Sequence, residues 1–376
     1  MKRELELYIH IPFCVKKCAY CDFLSGPADD VQKRIYLDAL IQEIRSCGDF
    51  SEYVVTSIFF GGGTPSILPG KWIAKIMDEI SCHFTVRSDA EITIEANPGT
   101  VDAEKLHNYR SAGINRISFG CQSADDQELK MLGRIHSWAD FLGSFTLART
   151  SGFENINVDL MSGLPGQTAA SWKKSLEKVI ALDPEHISAY SLIVEEGTLF
   201  YDMQDDLNLP DEEEERRMYE LTAEVLKKSG YEQYEISNYA KKGRACEHNI
   251  GYWIGREYLG LGLGSSSLID HSRFHKTNDM KKYLENCSSP ALLREETEPL
   301  TKENQMEEFM ILGLRKTAGV SEEDFQNRFK ISIDTVYGEI LNKYSSEGYL
   351  IRENGRIFFS RKGISVSNMI LAEMLL

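Results

Sequence analysis

Tyr8-Ile9-His10-Ile11-Pro12-Phe13-Cys14-Val15-Lys16-Lys17-Cys18-Ala19-Tyr20-Cys21 runs from an apolar, β-like stretch straight into a loop that holds three cysteines. The stretch 5–11 reads as a strand, and Pro12 ends it. Chemistry at the carboxyl end of a strand is the layout of an α/β barrel. The rest of the first half repeats the unit. Further strands are expected at 54–60, 90–95, 116–120, 155–161 and 186–192, mostly β-branched or aromatic and closed by Gly, Pro or Asn. Between them lie amphipathic helices. Leu37, Leu40, Ile41 and Ile44 share one helical face, and Trp172, Leu176, Val179 and Ile180 share another. Strand–helix alternation predicts parallel strands joined by right-handed crossovers. Six units give a partial TIM-like (β/α)6 barrel, an α/β fold.

The strand ends carry the candidate chemistry. Gly61-Gly62-Gly63-Thr64-Pro65 follows the second strand, Glu95-Ala96-Asn97-Pro98-Gly99 ends the third, Gly120-Cys121-Gln122-Ser123 follows the fourth, and Asp159 lies near the end of the fifth. Beyond the barrel, Asp211 to Glu215 is an acidic run, expected at a solvated helix start, where carboxylates favour the macrodipole. From Pro299 onward the pattern is helical. Ser321 caps one short helix, 333–344 forms another, and Glu353-Asn354-Gly355 sits in a hairpin turn. Helices followed by a hairpin predict an α+β, winged-helix-like tail. The organisation read here is a core at 1–236, a connecting region at 237–298 and the tail at 299–376.

Composition narrows the function. The chain has 376 residues, a net charge of −16 and 42% hydrophobic residues. That charge opposes a phosphate-binding surface, so a winged-helix tail is not expected to hold nucleic acid. No apolar run has the length of a membrane span, and the N-terminus has no signal-peptide core. A cytoplasmic protein is expected. In reducing cytosol, clustered cysteines favour metal or catalysis over disulfides. Cys47, Cys82, Cys121, Cys246 and Cys287 are scattered and read as buried free thiols. Three thiolates can hold three irons of a [4Fe–4S] cube and leave the fourth open. A closed zinc site needs four protein ligands, for which only His10 or Asp22 lies nearby.

The motif Tyr8 to Cys14 with Cys18 and Tyr20-Cys21 resembles the radical S-adenosylmethionine superfamily. The resemblance extends through Gly61–Pro65, Glu95–Gly99, Ser118–Ser123, Leu132-Gly133-Arg134 and Asp159–Gly166. It is similar to the branch that holds oxygen-independent coproporphyrinogen III dehydrogenase and the HemW-like heme chaperones. The resemblance implies a [4Fe–4S] cluster on Cys14, Cys18 and Cys21, with S-adenosylmethionine chelating the open iron through its amino and carboxylate groups. One electron then cleaves the sulfonium bond to give a 5′-deoxyadenosyl radical. It implies that Gly62, Gly63 and Thr64 approach the methionine amine, that Glu95 and Arg134 meet its charged ends, and that Gln122 and Asp159 bond the ribose or methionine. Tyr8 and Tyr20 would pack beside cluster and adenine.

Two departures separate the branches. The dehydrogenase pattern places a further cysteine where Phe23 stands, and it has an N-terminal extension for which Leu5 leaves no room. His248-Asn249-Ile250-Gly251-Tyr252-Trp253 instead matches the HNxxYW motif of HemW-like proteins. His248, Asn249, Tyr252 and Trp253 thereby become heme-binding candidates, with heme as cargo. Cys246 is a competing ligand. An unidentified heme-accepting protein and an electron donor such as a flavodoxin or ferredoxin are the implied partners. A radical enzyme acting on a tetrapyrrole is the alternative expectation.

Overall fold

The computed structural model describes residues 2–376. Six parallel strands, β1 (Arg3–Ile11), β2 (Tyr53–Gly62), β3 (Val86–Ala96), β4 (Arg116–Gln122), β5 (Ile156–Ser162) and β6 (His186–Ser191), pair in sequence order. Helices cross between them, among them Asp30–Ser46 after β1 and Ala169–Ile180 after β5. The expected (β/α)6 core is therefore present, within a residue or two at most strand ends.

Each strand separates an outer apolar face from an inner polar one. On β1, Leu5, Leu7, Ile9 and Ile11 are fully buried against the helices. Burial of such a side chain contributes roughly 1.5–3 kcal/mol. The inner face is different. Register places Glu95 beside Ser118, Ser118 beside Asn157, and Asn157 beside His186. One row higher, Gly120, Asp159 and Ser188 are neighbours. A closed TIM barrel fills its centre with branched apolar side chains. Here carboxylates, hydroxyls and amides occupy those positions, as in a barrel whose centre holds a ligand.

The sheet continues past both ends of the six strands. Short antiparallel strands β7 (Glu232–Gln233) and β8 (Asn238–Ala240) extend it beyond β6. At the other edge β9 (Glu257–Leu261) pairs parallel with β1. Antiparallel β10 (Ser266–Ile269), β11 (Ser272–Lys276) and β12 (Arg294–Pro299) follow. The segment read as a connecting region thus supplies strands β8 to β12 of the same twelve-stranded sheet.

The tail has its own apolar cluster, with Met310, Phe325, Tyr337, Leu341 and Ile357 buried at its centre. Helices Lys302–Gly313, Glu322–Phe329 and Ile333–Ser346 pack on β13 (Val320–Ser321), β14 (Leu350–Glu353) and β15 (Arg356–Phe359). Ser321 caps its helix by accepting from the Asp324 N–H, as expected. Asn354 and Gly355 turn the hairpin with φ of 52° and 71°, the left-handed pair a two-residue turn requires. The order helix, strand, two helices, hairpin is that of a winged helix. The acidic run opens helix Glu212–Lys228, with Asp211 as its cap. No helix among the described residues is long and apolar enough to cross a membrane.

Candidate functional site

The cysteine loop is fastened at its base and on its far side. The Cys14 N–H donates to the Gly26 carbonyl, and the Gly26 N–H donates to the Pro12 carbonyl. The Ala19 N–H donates to Leu132, and the Phe200 N–H to Ala19, which holds the loop against two later segments. Cys14, Cys18 and Cys21 are half-buried free thiols on one wall of a cavity of about 450 Å³. Burial pushes the Cys21 thiol up, and the neighbouring Cys18 and Cys14 thiols add to that. Among the described residues no three His, Cys, Asp or Glu side chains form a single-ion site. Of the scattered cysteines, Cys121 and Cys246 are buried as expected and Cys47 and Cys287 half-buried; Cys82 is exposed, on the outer face of helix Gly70–His83.

A chain of polar contacts joins two of the thiols. Cys14 Sγ lies 3.3 Å from Thr64 Oγ1, which accepts from Asn97 Nδ2 at 2.7 Å. Asn97 Oδ1 accepts from Arg134 Nη2 at 2.6 Å, and Arg134 Nη1 reaches Cys18 Sγ at 3.5 Å. Arg134 also donates to the Gly120 carbonyl at 2.7 Å, and its Nε is buried without a partner. Tyr20 lies beside Arg134 and Cys18, and burial raises its phenol. Asn97 is the hub of this chain. Its motif is visible in the sequence, but its bridging role is not, because both partners come from other elements.

Gly62 and Gly63 are required by the protein's own packing. Gly62 has φ 112°, and a Cβ there would meet the His10 ring at 2.6 Å. A Cβ on Gly63 would lie 2.7 Å from the Phe13 carbonyl and 3.0 Å from Cys14 Sγ. The two glycines therefore let the end of β2 sit directly against His10 of β1 and the cysteine loop.

The acidic side of the cavity comes from the inner barrel face. Burial raises the Glu95 carboxyl to about 8; Asp159 pushes in the same direction, while the Gly62 N–H and Arg116 oppose it. Asp159 is also raised by burial, against hydrogen bonds from Ser188, Asn157 and Ser118. Gln122 follows a register shift in β4 and holds φ at 68°, a costly conformation for a non-glycine residue. Its Oε1 accepts from Tyr190 at 2.8 Å. Tyr190, at the carboxyl end of β6, is a cavity residue the sequence reading missed. Tyr8 is not in this cavity. It lines an adjoining one of about 570 Å³, with its hydroxyl 3.2 Å from His10 Nδ1.

These residues fit a [4Fe–4S] cluster with an aminoacyl ligand. Three free thiols face one cavity, glycine keeps the facing loop free of a Cβ, and a partly unpartnered guanidinium shares the cavity with two carboxyls. Thiolates are the ligands such clusters use.

The HNxxYW segment forms helix Glu247–Trp253 against β2. His248 is buried. Its Nδ1 is 2.8 Å from Ser57 Oγ and its Nε2 3.0 Å from Tyr252 Oη, while Phe59 stacks on the ring at 5.1 Å. Burial, with Arg116 and Arg256 nearby, lowers the imidazole to about 3. Both ring nitrogens are thus engaged within the protein. Asn249 is half-buried, and the Trp253 indole N–H is buried without a partner. Cys246 is buried at 3.3 Å from Glu91 Oε1.

Known proteins share this arrangement. The Radical SAM superfamily model matches residues 8–179, and the HemN C-terminal domain model matches residues 300–366. The heme chaperone HemW of Bacillus subtilis is 39% identical, over 98% of this chain and 98% of that protein. The chain belongs to the heme chaperone HemW family. HemW of Lactococcus lactis is 36% identical, over 100% of this chain and 98% of its own length. Coproporphyrinogen III oxidase (HemN) of Escherichia coli, described as a radical SAM enzyme, superposes with a TM-score of 0.86 at 24% identity. It covers 100% of this chain and 90% of its own, a likeness of fold. The HemW likeness spans barrel and tail together, so both units belong to the family's common body.

Proposed function

We propose that this protein is a heme chaperone that holds a [4Fe–4S] cluster on Cys14, Cys18 and Cys21 and binds S-adenosylmethionine beside it. The carrying observation is the full-length likeness to HemW proteins, at 39% identity over 98% of the chain. The cavity chemistry supports the cofactor assignment. Glu95 accepts from the methionine amine, Arg134 faces its carboxylate, and Gln122 and Asp159 bond the ribose or methionine. Gly62, Gly63 and Thr64 line its approach, and Tyr20 closes the side next to Cys18. When bound, cluster and S-adenosylmethionine supply one-electron chemistry; the chain's part is to orient them and exclude side reactions. Phe23, where the dehydrogenase pattern has a further cysteine, is 62% exposed and borders both this cavity and the adjoining one. An apolar side chain there adds no fourth thiolate and supports carriage over decarboxylation. Heme passes to an acceptor protein, and a small redox protein supplies electrons.

The test is anaerobic reconstitution followed by two assays on one sample. About four irons and four sulfides per chain are expected, and Cys14→Ala, Cys18→Ala or Cys21→Ala should each abolish the cluster. Stoichiometric heme uptake without vinyl product from coproporphyrinogen III is the expected result. Protoporphyrinogen formed over many turnovers would restore the enzyme reading.

A further inference from the structure

A third cavity, a cleft of about 510 Å³, lies where helix Glu247–Trp253 and the β10–β11 hairpin meet the tail. Its apolar walls include Trp253 and Leu268 from the barrel side and Phe309 and Leu312 from the tail. This is the size and lining of a small-molecule site. Four basic side chains also border it: His271, Lys316, Arg328 and Arg356, the last donating to the Ala318 and Gly319 carbonyls.

His271 sits at the hairpin tip. It and Asp270 hold φ at 57° and 49°, the left-handed pair of a tight turn. The Leu300 N–H donates to the His271 carbonyl at 2.7 Å, which pins the tip to the start of the tail. The backbone is thus fixed, while the exposed imidazole has no hydrogen bond or ion pair among the described residues. Lys316 and Arg328 also border the cleft and have no carboxylate in ion-pair contact. Burial and the nearby Arg356 make the Lys316 charge costly, which Asp324 only partly offsets. Arg328 lies against Gly255, whose added Cβ would meet its Nη1 at 3.4 Å. Of the acids at the cleft, Glu257 is paired with Arg3 and Glu308 with Arg273, leaving Asp324. In a chain of net charge −16, cations left without a carboxylate in ion-pair contact beside an apolar slot mark a place for an anionic ligand.

We infer that this cleft, between barrel and tail, is where heme sits, with His271 on the iron, Lys316 and Arg328 on the propionates, and Trp253 against the ring. The inference rests on the chaperone reading and adds the site. A flat apolar ring, two carboxylates and a metal that takes imidazole match the four features in turn. The adjoining 570 Å³ cavity offers neither an unpaired arginine nor a free imidazole. Its Arg256 and Arg273 are paired with Glu4, Glu6 and Glu308, and its His10 is engaged by Tyr8 and the Leu24 carbonyl. That cavity instead lies between the cleft and the cysteine cavity. It shares Gly255, Leu268 and Leu312 with the cleft, and Phe23, Gly62 and Glu95 with the cysteine cavity.

The experiment uses the full chain with its cluster reconstituted, and two probes, hemin and iron-free protoporphyrin IX. Hemin binding is followed by the EPR of the ferric heme, and protoporphyrin by its own fluorescence. His271→Ala should weaken hemin by about tenfold or more and leave protoporphyrin affinity unchanged, because only the iron loses a partner. His271→Cys should give a thiolate-ligated ferric signal. Lys316→Ala with Arg328→Ala should weaken both probes by about ten- to a hundredfold, but not the dimethyl ester of protoporphyrin. Hemin affinity and EPR unchanged in all three variants, with the parent binding hemin, would overturn this siting. A parent that binds no hemin would instead remove the chaperone reading itself.

Discussion

At the scale of one residue, Glu95 joins sequence to chemistry most directly. It stands on the inner face of β3, where burial and Asp159 hold its carboxyl at about 8. The empty protein therefore keeps it mostly protonated at neutral pH, and the carboxylate forms as the pH rises through about 8. A ligand amine is better served by the carboxylate, so S-adenosylmethionine should bind more tightly as the pH rises from 6 towards that value and release a proton on binding. The ligand's own amine titrates in the same direction, at roughly 7.7–8.0 when free, so Glu95→Gln is the control. It should flatten the protein's share of the pH dependence, read from the cluster EPR response or from calorimetric proton release. The linked stability effect has the same origin. A carboxyl held above its ordinary value favours the folded state at low pH and loses that contribution as the pH climbs. Glu95→Gln should therefore raise the melting temperature of the empty protein above pH 8. A wild-type pH profile retained in the Gln variant would remove Glu95 from the amine site.

At the scale of elements, helix Glu247–Trp253 shows what a motif conceals. Its Gly251 falls at an unspecified position of HNxxYW, yet a Cβ there would land on the Glu6 carboxylate, which Arg256 holds at 2.9 Å. Gly251→Ala should cost about 1–3 kcal/mol by overpacking. Gly143, inside helix Trp138–Thr150, has nothing within 4 Å of an added Cβ. Gly143→Ala should instead gain about 0.5–1 kcal/mol from helix propensity. Denaturant titration of the two variants separates them, and a shift of the same sign in both would contradict this packing. The six core strands were legible because each is a β-branched or aromatic run with a clear stop. The β9–β12 edge was not. Glu257–Leu261 is short and contains Gly260, and its pairing with β1 joins residues about 250 positions apart, which periodicity cannot register. The site divides in the same way. The cysteines and strand-end motifs are local signals, whereas the Asn97 bridge and the engagement of His248 by Ser57 and Tyr252 depend on elements brought together only by folding.

Across the whole molecule, polar contacts tie barrel to tail beside the apolar walls of the boundary clefts. Arg273 pairs with Glu308, the Thr317 N–H donates to the Tyr234 carbonyl at 3.1 Å, and Thr317 Oγ1 donates to the Gln233 carbonyl at 3.0 Å. The tail's apolar cluster is closed within itself, from Met306 to Met374, and is separate from the barrel core. Its helices are also capped locally. Thr301 forms a reciprocal capping box with Asn304, and Ser321 and Ser332 cap the next two helices. Each such cap contributes about 1 kcal/mol. On the wing, Arg352 is held by Glu322 and Asp334, an ion-pair network that ties strand to helix and leaves that arginine little reach for phosphate. A unit with its own core, caps and sheet should fold alone. Residues 300–376 produced as a separate chain should show a sigmoidal thermal transition by circular dichroism and a dispersed amide spectrum. The clefts at the boundary would then be walls between two self-sufficient bodies, able to open without unfolding either. A gradual, non-cooperative melt of the fragment would show that the tail depends on the barrel for its fold, and that heme release cannot proceed by their separation.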